Sequence, residues 1–247
     1  MTRVKICGIR DPETAVEAAK AGADFIGMMF AESRRRVTPQ ECYDITEALK
    51  AGRQQHGALA EFDGPSRGDV SGSSWYGAWN DAIEQGLMRW RPLIVGVFAD
   101  QDYAEVNDIA NAAGLDLVQL SGDEDTAFVS KIERPVIRVV HVAEATSAID
   151  IYDEAAPGSA AGLMLDTGGA VRGGSGATFD WEVAAEVSRR WPLMLAGGLT
   201  PENVGAAVAQ VRPWAVDVSS GVETDGKKDI EKVRAFIRAA KGVKVDR

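Results

Sequence analysis

The sequence predicts a (β/α)8 barrel, in which eight parallel strands close into a cylinder surrounded by helices. Short apolar runs alternate with helical patterns almost from end to end, which is typical of parallel α/β proteins. The length of 247 residues is usual for one such barrel, although length alone also fits two smaller domains. Eight strands alternating with eight helices favour a closed barrel over an open doubly wound sheet.

The expected elements follow from these runs and from signals at the helix starts. The strands are expected near Arg3–Gly8, Asp24–Met29, Leu93–Ala99, Asp116–Leu120, Val136–Val140, Gly162–Asp166, Leu193–Ala196 and Ala215–Val218. The helices are expected near Pro12–Ala21, Pro39–Ala51, Tyr103–Ala113, Glu124–Ile132, Ala143–Asp153, Trp181–Arg190, Pro201–Gln210 and Lys228–Ala240. Asp11, Thr38 and Thr200 each precede a proline, which predicts an N-cap residue followed by proline at the first helical position.

One connection is longer than the pattern requires. Links from a helix to the next strand usually have about 2–6 residues, whereas the second helix and third strand are joined by Gly52–Pro92. Its part Gly57–Ser74 is rich in Gly, Ser and Asp and predicts a loop, and Trp75–Trp90 predicts a helix. One face of that helix would carry Trp75, Trp79, Ile83 and Leu87. We expect an accessory helix on a single-domain barrel, with an oligomer contact as the alternative. Such a link opens at the amino-terminal face, away from catalysis.

Composition restricts the class of protein. The net charge of −10 and pI of about 4.8 argue against a general nucleic-acid binder. An anionic substrate would need local donors, because the overall field repels it. No apolar run reaches the roughly 18 residues of a membrane span, and the first residues lead directly into a strand without a signal sequence. We therefore expect a cytoplasmic protein. The two cysteines do not predict a disulfide framework, and the two histidines argue against a histidine-rich metal site.

Candidate catalytic residues come at the ends of two strands, where barrel enzymes carry their chemistry. Cys7 ends the first strand, and alternation places it on the same side as Lys5. A small buried cysteine is an equally good interpretation of Cys7 alone; Cys42, within a helix, is the better candidate for an inert core residue. Asp166 closes an apolar strand, where a carboxyl group can keep its proton near neutral pH as a general acid must. A thiol and a carboxyl facing each other across the mouth suit a sugar isomerisation.

Glycine-rich loops after the last three strands predict a phosphate site. They contain Gly174 and Gly176 after the sixth strand, Gly197 and Gly198 after the seventh, and Ser219, Ser220 and Gly221 after the eighth. The recurring phosphate site of this fold lies after strands seven and eight, with backbone N–H groups as donors. A single loop of this kind is consistent with a plain turn; three at successive strand ends favour the phosphate site.

A run of three arginines follows the second strand. Arg34, Arg35 and Arg36 would in isolation predict a solvated surface. At the catalytic end of a strongly acidic protein, at least one of them is a candidate for bidentate binding of a carboxylate.

Together these segments resemble the phosphoribosylanthranilate isomerase family over nearly the whole chain except Gly52–Pro92. The similar segments are Val4–Ile9, Gly22–Gly27, Ser33–Pro39, Val95–Phe98, Val118–Leu120, Leu165–Thr167, Gly173–Trp181, Gly197–Val204 and Val216–Glu223. The cysteine-containing strand, the Gly-Gly-Ser-Gly loop and the Asp-Val-Ser-Ser-Gly-Val-Glu segment are together highly specific.

The resemblance implies an Amadori rearrangement of N-(5′-phosphoribosyl)anthranilate in tryptophan biosynthesis. Asp166 would protonate the ribose ring oxygen and open the ring to a Schiff base, and Cys7 would remove the C2′ proton. Arg35 would bind the anthranilate carboxylate, and Asp217 would contact the substrate near the ribose. Neither a metal nor an organic cofactor is implied. The sequence does not show what activates the Cys7 thiol, whose ordinary pKa is near 8.5.

Three departures and several rival functions stay open. Arg36 stands where the family has Tyr, Ser121 stands where it has His, and the insertion Gly52–Pro92 is additional. The nearest rival is the histidine-pathway isomerase, which has Asp in place of Cys7 and a second phosphate site. The shortage of histidine disfavours a metal-dependent pentose-phosphate epimerase. A bifunctional isomerase and an inactive phosphate-binding barrel are further alternatives, and the chain could be a monomer or a homodimer.

Overall fold

In a computed structural model, which describes residues 1–51, 61–66, 74–143, 145–166 and 181–244, strands β1 to β8 form a closed parallel barrel in sequence order. The predicted fold class is therefore confirmed. The strands are β1 Arg3–Cys7, β2 Phe25–Met29, β3 Leu93–Phe98, β4 Leu117–Leu120, β5 Val136–His141, β6 Gly162–Asp166, β7 Leu193–Ala196 and β8 Ala215–Val218. The helices are α1 Pro12–Ala21, α2 Pro39–Lys50, α3 Ser74–Trp90, α4 Tyr103–Ala113, α5 Thr126–Val129, α6 Ala148–Glu154, α7 Trp181–Arg190, α8 Val204–Val211 and α9 Ile230–Gly242. A 3₁₀ turn, Ser220–Val222, and a hairpin of β9 Glu223–Thr224 with β10 Lys227–Lys228 precede α9.

Two of the three predicted helix caps are present. The Asp11 carboxylate accepts the backbone N–H of Thr14 at 2.8 Å. Thr38 and Glu41 form a reciprocal capping box. The third prediction is wrong. The backbone N–H of Thr200 donates to Asn203 Oδ1 at 2.8 Å, which makes a turn of the residues expected to be helical, so α8 begins at Val204.

Two predicted helices are shorter than expected because side chains cap them further along. The Asp125 carboxylate accepts the N–H of Phe128 at 2.7 Å and starts α5 at Thr126. Glu124, predicted to be helical, instead accepts backbone N–H groups of the preceding loops, one of them from Gly122 at 3.0 Å. Ser147 forms a capping box with Asp150, which moves the start of α6 to Ala148.

Helix α3 packs across the amino-terminal end of the barrel. Trp75 Nε1 donates to the carbonyl of Ala160, two residues before β6, at 2.7 Å. Glu84 accepts from Trp214 Nε1, directly before β8, at 2.7 Å. Ile83, Leu87 and Trp90 join the apolar cluster inside the barrel, which includes Phe25, Leu93, Leu117, Ile137, Met164 and Met194. On the predicted apolar face, Trp75, Ile83 and Leu87 are buried and Trp79 is half-buried. These contacts put α3 at the end opposite to Asp166.

Candidate active site

A cavity of about 220 Å³ opens at the carboxyl-terminal ends of β6, β7 and β8. It is lined by Asp166, Ala196, Gly197, Gly198, Leu199, Asp217, Val218, Ser219, Ser220 and Gly221. A larger groove of about 690 Å³ lies near Trp191 and Arg212, but its Pro192 and Trp214 precede strands, so it belongs to the amino-terminal face. Catalytic groups of this fold lie at the other face, and the smaller cavity is therefore the candidate active site.

The two proposed proton-transfer residues both end strands at this face. Asp166 is the last residue of β6 and is half-buried; it neighbours His141 of β5 and Ala196 of β7 in the barrel register. Cys7 is the last residue of β1, is only 4% exposed, and pairs with Gly27 of β2. Asp166 lines the cavity. Cys7 is not among the lining residues, but it directly follows Ile6, which pairs with the lining residue Val218 of β8.

The Cys7 thiol lies beside a buried lysine. A Cβ atom added to Gly27 would lie 2.9 Å from Lys5 Nζ and 3.1 Å from Cys7 Sγ, so both groups converge on the space that this glycine leaves empty. Burial raises the pKa of the Cys7 thiol; the positive charge of Lys5 opposes this effect most strongly, and the negative charge of Asp217 adds to it. Cys42 is different: it is fully buried against Met28, and burial raises its pKa to about 12.

Lys5 and Asp217 form an ion pair inside the barrel. Lys5 Nζ donates to Asp217 Oδ1 at 2.8 Å, and the lysine side chain is 0% exposed. Burial acts to lower the pKa of Lys5, but the Asp217 carboxylate and the thiolate form of Cys7 outweigh it and raise that pKa. Asp217 also lines the cavity. The residue expected to contact the substrate is therefore also the counterion of Lys5.

Arg35 is held by a carboxylate of this chain. Its Nε and Nη2 donate to the two oxygens of Glu223 at 2.6 and 2.9 Å. A Cβ atom on Gly8 would lie 2.6 Å from Arg35 Cδ, and Gly8 has a positive φ of 77°, so glycine is required beside the arginine. Arg34 also binds Glu223, at 2.8 Å, but its side chain is 63% exposed.

Glu223 and Lys228 form an ion-pair group with Arg35 that sequence reasoning missed. Lys228 Nζ donates to Glu223 Oε1 at 2.9 Å and to the Ser219 carbonyl at 2.8 Å, which ties the hairpin to the loop after β8. Burial acts to raise the pKa of Glu223, but bonds to Arg35 and Lys228 outweigh it and lower the pKa to about 2. Glu223 directly follows the Ser-Ser-Gly-Val segment of the predicted phosphate loop. This position was the one sequence signal that could have indicated a role for Glu223.

The loops after β7 and β8 are in direct contact. Gly197 and Gly198 have positive φ values of 92° and 62°. A Cβ atom on Gly221 would overlap the carbonyl oxygen of Leu199, so only glycine fits where the two loops meet. Ser219, Ser220 and Gly221 lie on the same cavity wall. The other two predicted phosphate-site residues, Gly174 and Gly176, lie outside the described residues.

His141 lies next to Ser121, the residue that stands where the family has histidine. His141 Nε2 lies 2.9 Å from the carbonyl oxygen of Ser121. Since His141 ends β5 and neighbours Asp166 in the register, this imidazole comes from the adjacent strand. Within the described residues, no group of three His, Cys, Asp or Glu side chains is suited to a metal ion. The same part of the chain contains no helix long and apolar enough to span a membrane.

Comparison with known sequences gives consistent matches. The family model for N-(5′-phosphoribosyl)anthranilate (PRA) isomerase matches residues 72–239. The N-(5′-phosphoribosyl)anthranilate isomerase of Dehalococcoides mccartyi is 39% identical over 98% of this chain and 96% of its own length. The multifunctional tryptophan biosynthesis protein of Phycomyces blakesleeanus is 41% identical over 98% of this chain, which spans only 33% of that protein.

Solved structures of phosphoribosyl anthranilate isomerases superimpose on this chain. Phosphoribosyl anthranilate isomerase from Thermotoga maritima superimposes with a TM-score of 0.72 at 33% identity, covering 98% of this chain and 100% of that one. A second structure shows the isomerase in complex with reduced 1-(o-carboxyphenylamino)-1-deoxyribulose 5-phosphate, with a TM-score of 0.69, 31% identity, and coverage of 98% and 100%.

Proposed function

The chain belongs to the N-(5′-phosphoribosyl)anthranilate isomerase family of tryptophan biosynthesis, and we propose from this membership how its residues carry out the reaction. The reaction is an Amadori rearrangement that converts N-(5′-phosphoribosyl)anthranilate to 1-(2-carboxyphenylamino)-1-deoxyribulose 5-phosphate. One observation supports the assignment most strongly. Asp166, Asp217 and the loops after β7 and β8 share one cavity, beside the buried Cys7.

Asp166 acts as the general acid and Cys7 as the general base. Asp166 gives its proton to the ribose ring oxygen, so the C1′–O bond breaks and the nitrogen lone pair forms a Schiff base. The Cys7 thiolate takes the proton from C2′, and the electrons of that C–H bond move toward the iminium nitrogen to give an enolamine. Tautomerisation gives the ketose product. The amine of the substrate accepts the electrons, so the chemistry requires no added electron sink.

The phosphate end of the substrate fits the loops after β7 and β8. Gly197, Gly198 and Gly221 leave room for backbone N–H groups to approach an oxyanion closely, and Ser219 and Ser220 add hydroxyl groups to the same wall. Local donors of this kind suit an anion bound to a protein with a net charge of −10. Gly174 and Gly176 belong to the proposed site by their motif alone.

Arg35 is proposed to bind the anthranilate carboxylate, under a constraint that the sequence did not reveal. Glu223 already occupies Nε and Nη2 of this arginine. The substrate carboxylate therefore has to bind through the remaining N–H groups of Nη1 and Nη2 or in exchange for Glu223. Lys228 helps to hold Glu223 when Arg35 shifts, since it contacts the same carboxylate at 2.9 Å.

Compartment and assembly are parts of the same proposal. We place the enzyme in the cytoplasm, acting on a small phosphorylated substrate and binding neither nucleic acid nor membrane. One solved structure shows monomers generated from the dimeric isomerase of Thermotoga maritima. A homodimer or a monomer fits this chain, and the oligomeric state is measured by sedimentation.

Turnover of N-(5′-phosphoribosyl)anthranilate tests the proposal. The purified full chain is mixed with this fluorescent substrate, and loss of its fluorescence is followed alongside the binding of the reduced product analogue. We expect turnover by the wild type and by Cys42→Ser, because Cys42 is buried in a helix and does not line the cavity. Binding of the analogue without turnover would indicate an inactive phosphate-binding barrel instead.

A further inference from the structure

A lysine side chain lies fully buried inside the barrel, directly beneath the candidate base. Lys5 is 0% exposed, and burying an ammonium ion has a large desolvation cost unless a counterion is near. Asp217 supplies that counterion at 2.8 Å and is its neighbour in the pairing of β1 with β8. A hydrophobic side chain of similar volume would fill this position without the cost, so the charge requires an explanation.

The geometry connects this charge to Cys7. Lys5 and Cys7 are two residues apart on β1 and therefore point to the same side of the strand. Both Lys5 Nζ and Cys7 Sγ lie about 3 Å from the position of a Cβ atom on Gly27. A side chain at Gly27 would force them apart. Because Gly27 has no side chain, the Lys5 ammonium group and the Cys7 thiol can lie side by side next to it.

We propose that Lys5, fixed by Asp217, is a positioning residue that stabilises the thiolate of Cys7 during removal of the C2′ proton. The proposal rests on the role of Cys7 given above. The proton moves from C2′ to Sγ, the C–H electron pair enters the enolamine, and Lys5 keeps its own protons throughout.

The other charged groups near Cys7 act in both directions. Lys228 also favours the thiolate, and Asp217 disfavours it. Arg35 carries a positive charge that interacts with Cys7 as well. Lys228 and Arg35 both donate to the Glu223 carboxylate. The Lys5 ammonium group, in contrast, lies against the Cys7 thiol itself. Loss of Lys5 should therefore change the ionisation of Cys7 more than loss of either of the others.

The test measures the thiolate directly, without using activity. In a Cys42→Ser background, the absorbance of the Cys7 thiolate near 240 nm is titrated and corrected with Cys7→Ser. We expect Lys5→Met to raise the thiol pKa by about one unit or more, the range for an opposite charge at close distance. The acid limb of the kcat/KM profile should move by the same amount, and kcat/KM at pH 7 should fall about tenfold or more.

Four variants separate this role from a structural one. Lys241→Met removes another lysine from an ion pair, with Asp24 at the opposite end of the barrel, and should leave the thiol pKa unchanged. Gly27→Ala keeps the lysine but pushes Nζ and Sγ apart, and should raise the thiol pKa as Lys5→Met does. Asp217→Asn is compared with the double variant Lys5→Met/Asp217→Asn. Neither protein has the Asp217 carboxylate, so the comparison isolates the effect of Lys5 on the thiol pKa.

The outcomes are distinguishable. The proposal is supported if the double variant has a higher thiol pKa and a lower kcat than Asp217→Asn alone. It is overturned if folded Lys5→Met or Gly27→Ala titrates as the wild type does, or if activity falls with an unchanged pH profile. If Cys7→Ser retains wild-type turnover, the base assignment itself fails, whatever the titration shows.

Discussion

Replacing Glu223 by glutamine removes the one negative charge that three neighbouring cations share and keeps the shape of the side chain. The carboxylate is 5% exposed and binds Arg34, Arg35 and Lys228. Its pKa is lowered from 4.5 to about 2, which corresponds to about 3 kcal/mol of stabilisation. In a domain of this size that is a fall in Tm of roughly 6–12 °C.

The pH dependence gives the sign of this prediction. A carboxyl group whose pKa is depressed by folding stabilises the protein fully above its unfolded pKa, and the contribution is lost as the pH falls through the folded value. The difference in unfolding free energy between wild type and Glu223→Gln should therefore be constant above about pH 5 and shrink below the unfolded pKa of 4.5, toward zero near pH 2. Urea unfolding at pH 7, 4 and 3 measures it.

A matched control is Glu231→Gln. Glu231 is 71% exposed and pairs with Arg234 on the same helix, so its loss should cost less than about 0.5 kcal/mol. Glu223→Gln should also raise KM, because it releases Arg35 from its position. A loss of less than about 1 kcal/mol at pH 7, or a difference that does not change with pH, would refute the reasoning.

Three further predictions concern the substrate site and the packing of α3 on the barrel. Arg35→Ala should raise KM about 10-fold or more, through loss of a charge-assisted contact worth roughly 1.5–3 kcal/mol. Arg34→Ala should raise KM much less, because the Arg34 side chain is exposed. Equal increases of KM in steady-state kinetics would mean that the arginines attract the substrate through their combined positive charge and not through one bidentate contact. Gly221→Ala should raise KM for the phosphorylated substrate, since its methyl group would displace the Leu199 carbonyl; an unchanged KM would remove this loop from the phosphate site. Trp75→Ala should lower unfolding free energy by about 3–5 kcal/mol with kcat/KM within a few-fold, and a steep loss of kcat in folded protein would contradict the remote position of α3.

The sequence was sufficient for the barrel because its signals are local. Each strand is a short apolar run between turn residues, and the bounds of β6, β7 and β8 agree with the predictions to the residue. The caps at Asp11 and Thr38 were also predictable, since the capping groups lie within three residues of the helix start. Thr200 shows the limit of this reasoning. A proline after a hydroxyl residue fits a turn as well as a helix, and Asn203 decided between them.

The electrostatic arrangement of the site was beyond sequence reasoning because its partners are far apart in the chain. Lys5 and Asp217 are separated by 212 positions, and Arg35 and Glu223 by 188. Alternation placed Lys5 on the side of Cys7 but could not show that Asp217 neutralises it. The arginine run likewise gave no indication that Glu223 holds one of its members.

The central claim is that Cys7 and Asp166 transfer the protons, and one experiment tests it directly. Single-turnover kinetics with N-(5′-phosphoribosyl)anthranilate are measured for Cys7→Ser and Asp166→Asn, together with binding of the reduced product analogue. Each substitution should lower the rate of the chemical step by at least about 10²-fold, the low end for general acid–base groups, while the analogue binds as to wild type. A wild-type rate in either variant would contradict the role of that residue.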